Sequence, residues 1–158
     1  MWKLFGNKQM DEEEFWKVIS LLNWRYEGDD EKVIKNSVQY LAKKSDEDIF
    51  EFYELLSKFL YDLDGIEYAE NIGEYSYSQG EYQFSVDFFL YARCVVVANG
   101  REFYYKVLNN SKEMPKDMEF ESLLYIAPYA YEKKRKKEFN YLAKCSYETY
   151  SNKKKWSK

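Results

Sequence analysis

The sequence predicts an all-α, single-domain bundle of about six to eight helices around one buried central helix, at about residues 81–99. Two observations carry this reading. From Phe84 to Ala98 only Ser85, Asp87 and Arg93 are clearly polar, and a helix that is apolar all round is buried because no face gains by meeting water. Elsewhere apolar residues recur at helical spacing behind recognisable N-cap residues. A β-branched run, Cys94-Val95-Val96-Val97, invites a strand. It has no turn signal and no partner of matching pattern, and it continues a long helical stretch, so length favours helix.

The first helix opens at Asp11, with Glu14 in capping-box position, Glu12 and Glu13 facing the positive helix end, and Met10 and Phe15 placed as a hydrophobic staple. Phe15, Ile19, Leu22 and Tyr26 form its stripe, up to Gly28. Asp29 or Asp30 caps a second helix with Val33, Ile34, Val38, Leu41 and Ala42 inside. Ser45 opens a third, whose core face is Ile49, Phe52, Leu56, Phe59, Leu60 and Leu63. Its outer face carries Glu47, Glu51, Glu54 and Lys58, and beyond Gly65 the residues Glu67, Glu70 and Glu74 repeat the acidic pattern. Residues 75–80 form a loop, and Ser78 and Glu81 are placed to cap the central helix that follows. Gly100 sits where a left-handed C-cap residue belongs, and Phe103, Tyr104, Val107 and Leu108 stripe a bent continuation. After a loop at 109–116, a helix over 119–127 meets Pro128, which must kink or break it. A last helical stripe runs through Phe139, Leu142, Ala143, Ser146, Tyr147 and Tyr150. Residues 1–9, with Trp2, Leu4 and Phe5 able to dock, and residues 151–158 are expected to be loosely ordered tails of the single domain 1–158.

With 158 residues the chain suits one domain with a real core. Its 17 tyrosines and 11 phenylalanines are accounted for by AT-rich codon usage or by an aromatic binding surface. The absence of histidine is more decisive: it removes histidine acid–base chemistry, Ser-His-Asp and Cys-His arrangements, the commonest zinc sites and Glu-x-x-His di-iron sites. Cys94 and Cys145 stand in no metal-ligand spacing. Without a signal peptide or a long apolar run, the expected compartment is the cytoplasm, with no membrane partner. Charge is unevenly spread, with a net of −9 over residues 1–80 and +5 over residues 81–158. Asp87 and Arg93 lie on different faces of the central helix, so if buried they need different partners. Within that helix Phe88→Ala is expected to cost about 3–5 kcal/mol.

Several stretches together resemble a family of small bacterial domains known as domain of unknown function 4240. They are Phe15-Trp16, then Phe84, Phe88 and Phe89, then Gly100-Arg101-Glu102-Phe103-Tyr104 with Leu108, and Phe120-Glu121-Ser122-Leu123-Leu124-Tyr125 with Pro128 and Ala130-Tyr131. The resemblance covers roughly residues 11 to 135. Where the family usually shows an acidic pair before the central helix and Trp-Leu-Ile inside it, this chain has Gly80-Glu81 and Tyr91-Ala92-Arg93-Cys94. The resemblance implies an all-helical domain. It implies no established activity and assigns no functional residues.

No catalytic residues, metal ligands or cofactors are expected. Glu119 and Glu121 point to different sides of their helix, there is no EF-hand spacing, and there is no Gly-rich phosphate loop. The expected function is non-catalytic protein binding, most concretely as an immunity- or antitoxin-type protein. Its acidic helical face, Glu47, Glu51, Glu54, Glu67, Glu70 and Glu74, would neutralise a partner such as a basic toxin domain. One alternative is an enzyme or small-ligand domain with a pocket lined by Tyr and Glu. The other is nucleic-acid binding through Lys133, Lys134, Arg135, Lys136 and Lys137.

Overall fold

Helix α1 (Glu12–Ile19) starts as its sequence dictates, with the Asp11 carboxylate accepting the Glu14 N–H at 2.8 Å. Glu14 does not complete a capping box. Its side chain is buried, 2.7 Å from the Lys44 ammonium, which is buried too. The expected continuation to Tyr26 stops at Ile19; beyond it the Asn23 N–H donates to Val33 O at 2.9 Å and its side chain caps the separate 3-10 turn Trp24–Tyr26. Tyr26 is therefore exposed. The computed structural model describes residues 8–157, and these form eight α-helices and three 3-10 turns with no strand among them. The expected docking of Trp2, Leu4 and Phe5 lies outside the described residues.

Helices α2 (Asp30–Ala42) and α3 (Asp46–Asp62) are capped by Asp29 and Ser45, and a single turn, α4 (Ile66–Ala69), follows. The central helix α5 (Val86–Ala98) starts later than expected, because Ser85 and not Ser78 is its cap: Ser85 Oγ accepts the Phe88 N–H at 3.1 Å. Ser78 donates to Glu70 instead. From Phe89 to Ala98 every residue but Tyr91 is buried, Arg93 included. Phe88 is only half-buried, its ring 4.6 Å from that of Tyr75, so the fully buried ring of this helix is Phe89. Gly100, at φ 100°, makes the left-handed turn into α6 (Arg101–Asn109).

The 3-10 turn Glu121–Tyr125 replaces the helix expected over 119–127, and α7 (Ile126–Arg135) follows it directly. Pro128 breaks nothing, because it falls in the first turn of α7, where backbone N–H groups have no helical acceptor in any case. Helix α2 packs most extensively on α7, while α5 packs on α3, α6 and the 121–125 turn. At the junction of α1, α3 and α6, the rings of Phe15, Trp16, Phe52, Phe59 and Tyr104 interlock at 4.8–5.7 Å. Much of the high aromatic content is thus core.

The last expected helix is absent. Residues 136–152 contain no regular element, and exposure alternates along them. Phe139, Tyr141, Ala143, Cys145, Tyr147 and Thr149 are partly covered, while Asn140, Leu142, Lys144, Ser146, Glu148 and Tyr150 are exposed. Period 2 marks an extended segment. The final residues, expected as a loose tail, include a one-turn helix, α8 (Lys153–Trp156), that packs against α4.

Candidate functional site

Helix α3 organises the charged surface. Glu47 and Glu51 are exposed on it, but Glu54 is half-buried and accepts from Tyr141 Oη at 2.9 Å and from the Lys144 N–H at 2.7 Å. Glu67 on α4 is exposed, as is Glu74 in the loop beyond it, whereas Glu70 accepts from Ser78 Oγ at 3.0 Å. At 1.5 Å per residue, α3 separates the Glu47–Glu51 end from the Glu67–Glu74 end by roughly 20 Å. The six carboxylates are therefore two acidic patches, with Glu54 held beneath the C-terminal segment.

The basic run is divided as well. Arg135 grips Asp46 through Nε at 3.0 Å and Nη2 at 2.8 Å, and Lys134 lies 3.2 Å from the same carboxylate. The Arg135 hydrogen bonds are the main cause of an Asp46 carboxyl held below its ordinary value. Lys133, Lys136 and Lys137 are exposed. Lys133 borders a shallow groove of about 560 Å³ between α2 and α7, with Lys32 and Lys35 opposite and Tyr129 beside it.

Two buried charges near the centre have the C-terminal segment as partner. Arg93 of α5 donates to Leu60 O at 2.9 Å, to Tyr147 O at 2.9 Å and to Thr149 Oγ1 at 3.1 Å, and its guanidinium lies 4.6 Å from the Phe89 ring. Burial pulls its pKa down to about 10. All these acceptors are neutral, and Nε meets no acceptor among the described residues. Asp64, just past α3, is buried and accepts from the N–H groups of Tyr150 at 3.2 Å and Asn152 at 2.9 Å and from Trp156 Nε1 at 2.7 Å. The buried Arg93 thus has its partners on α3 and the C-terminal segment, while Asp87 is exposed and needs none. Nothing in the sequence singles out Asp64, which reads as an ordinary residue of a helix-ending turn.

The tyrosines serve as donors. Burial, reinforced by hydrogen bonds to Glu14 and Glu12, pushes Tyr40 and Tyr105 up to about 12; for Tyr125 the bond to Glu121 is the larger cause of a similar rise. These phenols stay protonated at neutral pH. Cys94 and Cys145 are both free thiols, and burial raises Cys94 to about 12. Beside α5 lies a cavity of about 410 Å³ lined by Trp24, Phe120, Glu27, Asp30 and Glu119, among others, with no tyrosine. Among the described residues no group of three or more Cys, Asp or Glu is arranged to hold a metal ion, and no helix is long and apolar enough to cross a membrane.

No curated protein and no solved structure matches the chain. The model of one family, described as protein of unknown function (DUF4240), matches residues 10–133, a stretch that runs from the residue before the α1 cap into the last turn of α7 and leaves out the extended C-terminal segment. The chain thus belongs to the DUF4240 family.

Proposed function

We propose that this protein is a non-catalytic protein-binding module, most concretely one of immunity or antitoxin type that neutralises a basic partner. The reading is supported by exposed carboxylates: Glu47, Glu51, Glu67 and Glu74 all face solvent, and none of them forms a salt bridge among the described residues. Carboxylates left open in this way raise the rate at which a basic partner is captured. The test begins with affinity capture of partners from the native host. The triple variant Glu47→Lys, Glu51→Lys and Glu67→Lys should then slow association with the captured partner at least tenfold at low salt, the difference shrinking as salt rises. An unchanged association rate removes the acidic patches from the site.

A second reading, a domain that binds a small ligand, is favoured by the cavity beside α5. Its two aromatic rings and three carboxylates suit a small organic cation. Thermal shift with such amines tests it, and a flat response counts against it.

A further inference from the structure

We infer that the groove along α3 and α5 is a binding site for an extended peptide, read through its main chain as well as its side chains, and that residues 138–157 are its tethered occupant.

The contacts carry the inference. The segment runs in the same direction as α3: Lys144 is held at Glu54, Tyr147 at Arg93 beside Leu60, and Tyr150 and Asn152 at Asp64. Its amides donate to carboxylates and one carbonyl accepts from a guanidinium, in place of a strand neighbour. This is the chemistry of β-strand recognition performed by side chains of a helical body. The groove supplies three backbone-reading groups, Glu54, Asp64 and Arg93, together with aromatic walls for alternate side chains. Tyr141 stacks on Phe50 at 4.5 Å with the planes 7° apart, and Trp156 lies 5.9 Å from Phe89.

Three further observations separate the occupant from the body. The family match ends at residue 133, before the segment begins. Lys136, at φ 60°, ends α7 in a left-handed turn, and residues 136–138 are exposed, so the segment is joined to the body by an uncovered hinge. Finally, the fit is incomplete, because the buried Arg93 keeps one donor without an acceptor among the described residues and its hydrogen bonds to the segment reach only neutral oxygens. The partner that fits is thus an extended segment of another polypeptide with aromatic or small side chains at alternate positions. The inference does not depend on Glu47, Glu51 or Glu67, so the charge-reversal experiment leaves it untouched.

The test uses a fluorescein-labelled peptide of residues 138–157 and the full chain carrying Tyr141→Ala and Trp156→Ala, which weaken only the tethered copy. The variant should bind the peptide saturably, and the unaltered chain about 100-fold more weakly, because its own segment competes at an effective concentration of about 1 mM. A peptide with Lys144→Pro, which removes the N–H held by Glu54 at an exposed position, should bind about tenfold more weakly. One with Leu142→Lys, altered at a side chain that is 88% exposed, should bind as before. A folded variant that ignores the peptide, equal binding by both proteins, or a variant that cannot fold each overturns the inference. Hydrogen exchange on the unaltered chain tests it independently: amides of residues 140–150 should exchange at least 100-fold faster than those in the middle of α3 and α5. Equal protection would make the segment part of the body and refute the proposal.

Discussion

The buried pair Glu14–Lys44 permits a sharp energetic test. The two side chains are 5% and 1% exposed and 2.7 Å apart; Lys44 Nζ also donates to Lys8 O at 2.7 Å, and Tyr40 Oη donates to Glu14. Lys44→Met leaves a buried carboxylate with the Tyr40 hydroxyl as its remaining donor, and Glu14→Gln leaves a buried ammonium facing an amide. Each single change should cost about 3–5 kcal/mol, since an uncompensated buried charge is expensive. The double variant buries no charge, and the amide oxygen introduced by Glu14→Gln can still accept from Tyr40. Its loss should be about 1–2 kcal/mol, mostly from Lys8 O losing a donor. Urea unfolding followed by far-UV circular dichroism measures all four proteins. The double variant should fall short of the summed singles by at least about 3 kcal/mol, the coupling expected for groups in direct contact inside a protein. Additive losses would refute the reasoning and show that water reaches the pair.

Three other outcomes are expected. Phe89→Ala should cost about 3–5 kcal/mol and Phe88→Ala about half that, because Phe89 is fully buried and Phe88 is not; equal losses in urea unfolding would place both rings alike. Asp46 is held below its ordinary 3.8 by Arg135 and then Lys134, so its contribution to stability is fully present above pH 3.8 and is lost as pH falls through the lower folded value. Asp46→Asn should flatten that part of the acid unfolding curve, and an unchanged curve would show that the pairing is not felt. With a thiol reagent at pH 8, Cys145 should react in the native protein at a rate set by opening of its half-covered segment, while Cys94, fully buried and raised to about 12, should react only in denaturant; simultaneous release of both thiols would contradict this.

Most of the helical architecture is legible in the sequence because its signals are local. Asp11, Asp29 and Ser45 cap α1, α2 and α3 as their side chains predict, and the apolar run of α5 can be satisfied only by burial. The C-terminal segment misleads because its aromatic residues fit two periods at once. Phe139, Ala143 and Tyr147 belong equally to a helical stripe and to an alternating strand, and Tyr141 and Thr149 decide between them only when Glu54 and Arg93 are in place. Those partners lie 87 and 56 residues away in the chain. The same distance hides the burial of Glu54 and the division of the acidic residues into two patches. Glu14 has the spacing of a capping residue; its actual partner, Lys44, is supplied by the turn between α2 and α3.

Gly65 shows how narrowly the end of the chain is fitted. Its φ of −162° is open to any residue, so conformation does not demand glycine there. Clearance does: a Cβ at this position would stand 2.7 Å from Lys155 Cβ and 3.2 Å from Lys155 O, neither of which is the movable end of a side chain. One added methyl group would act as a wedge between α4 and α8 while changing no polar group of the C-terminal segment. Gly65→Ala should therefore push α8 and Trp156 outward by steric displacement alone, a handle on that end of the molecule that alters no charge and no hydrogen-bonding group.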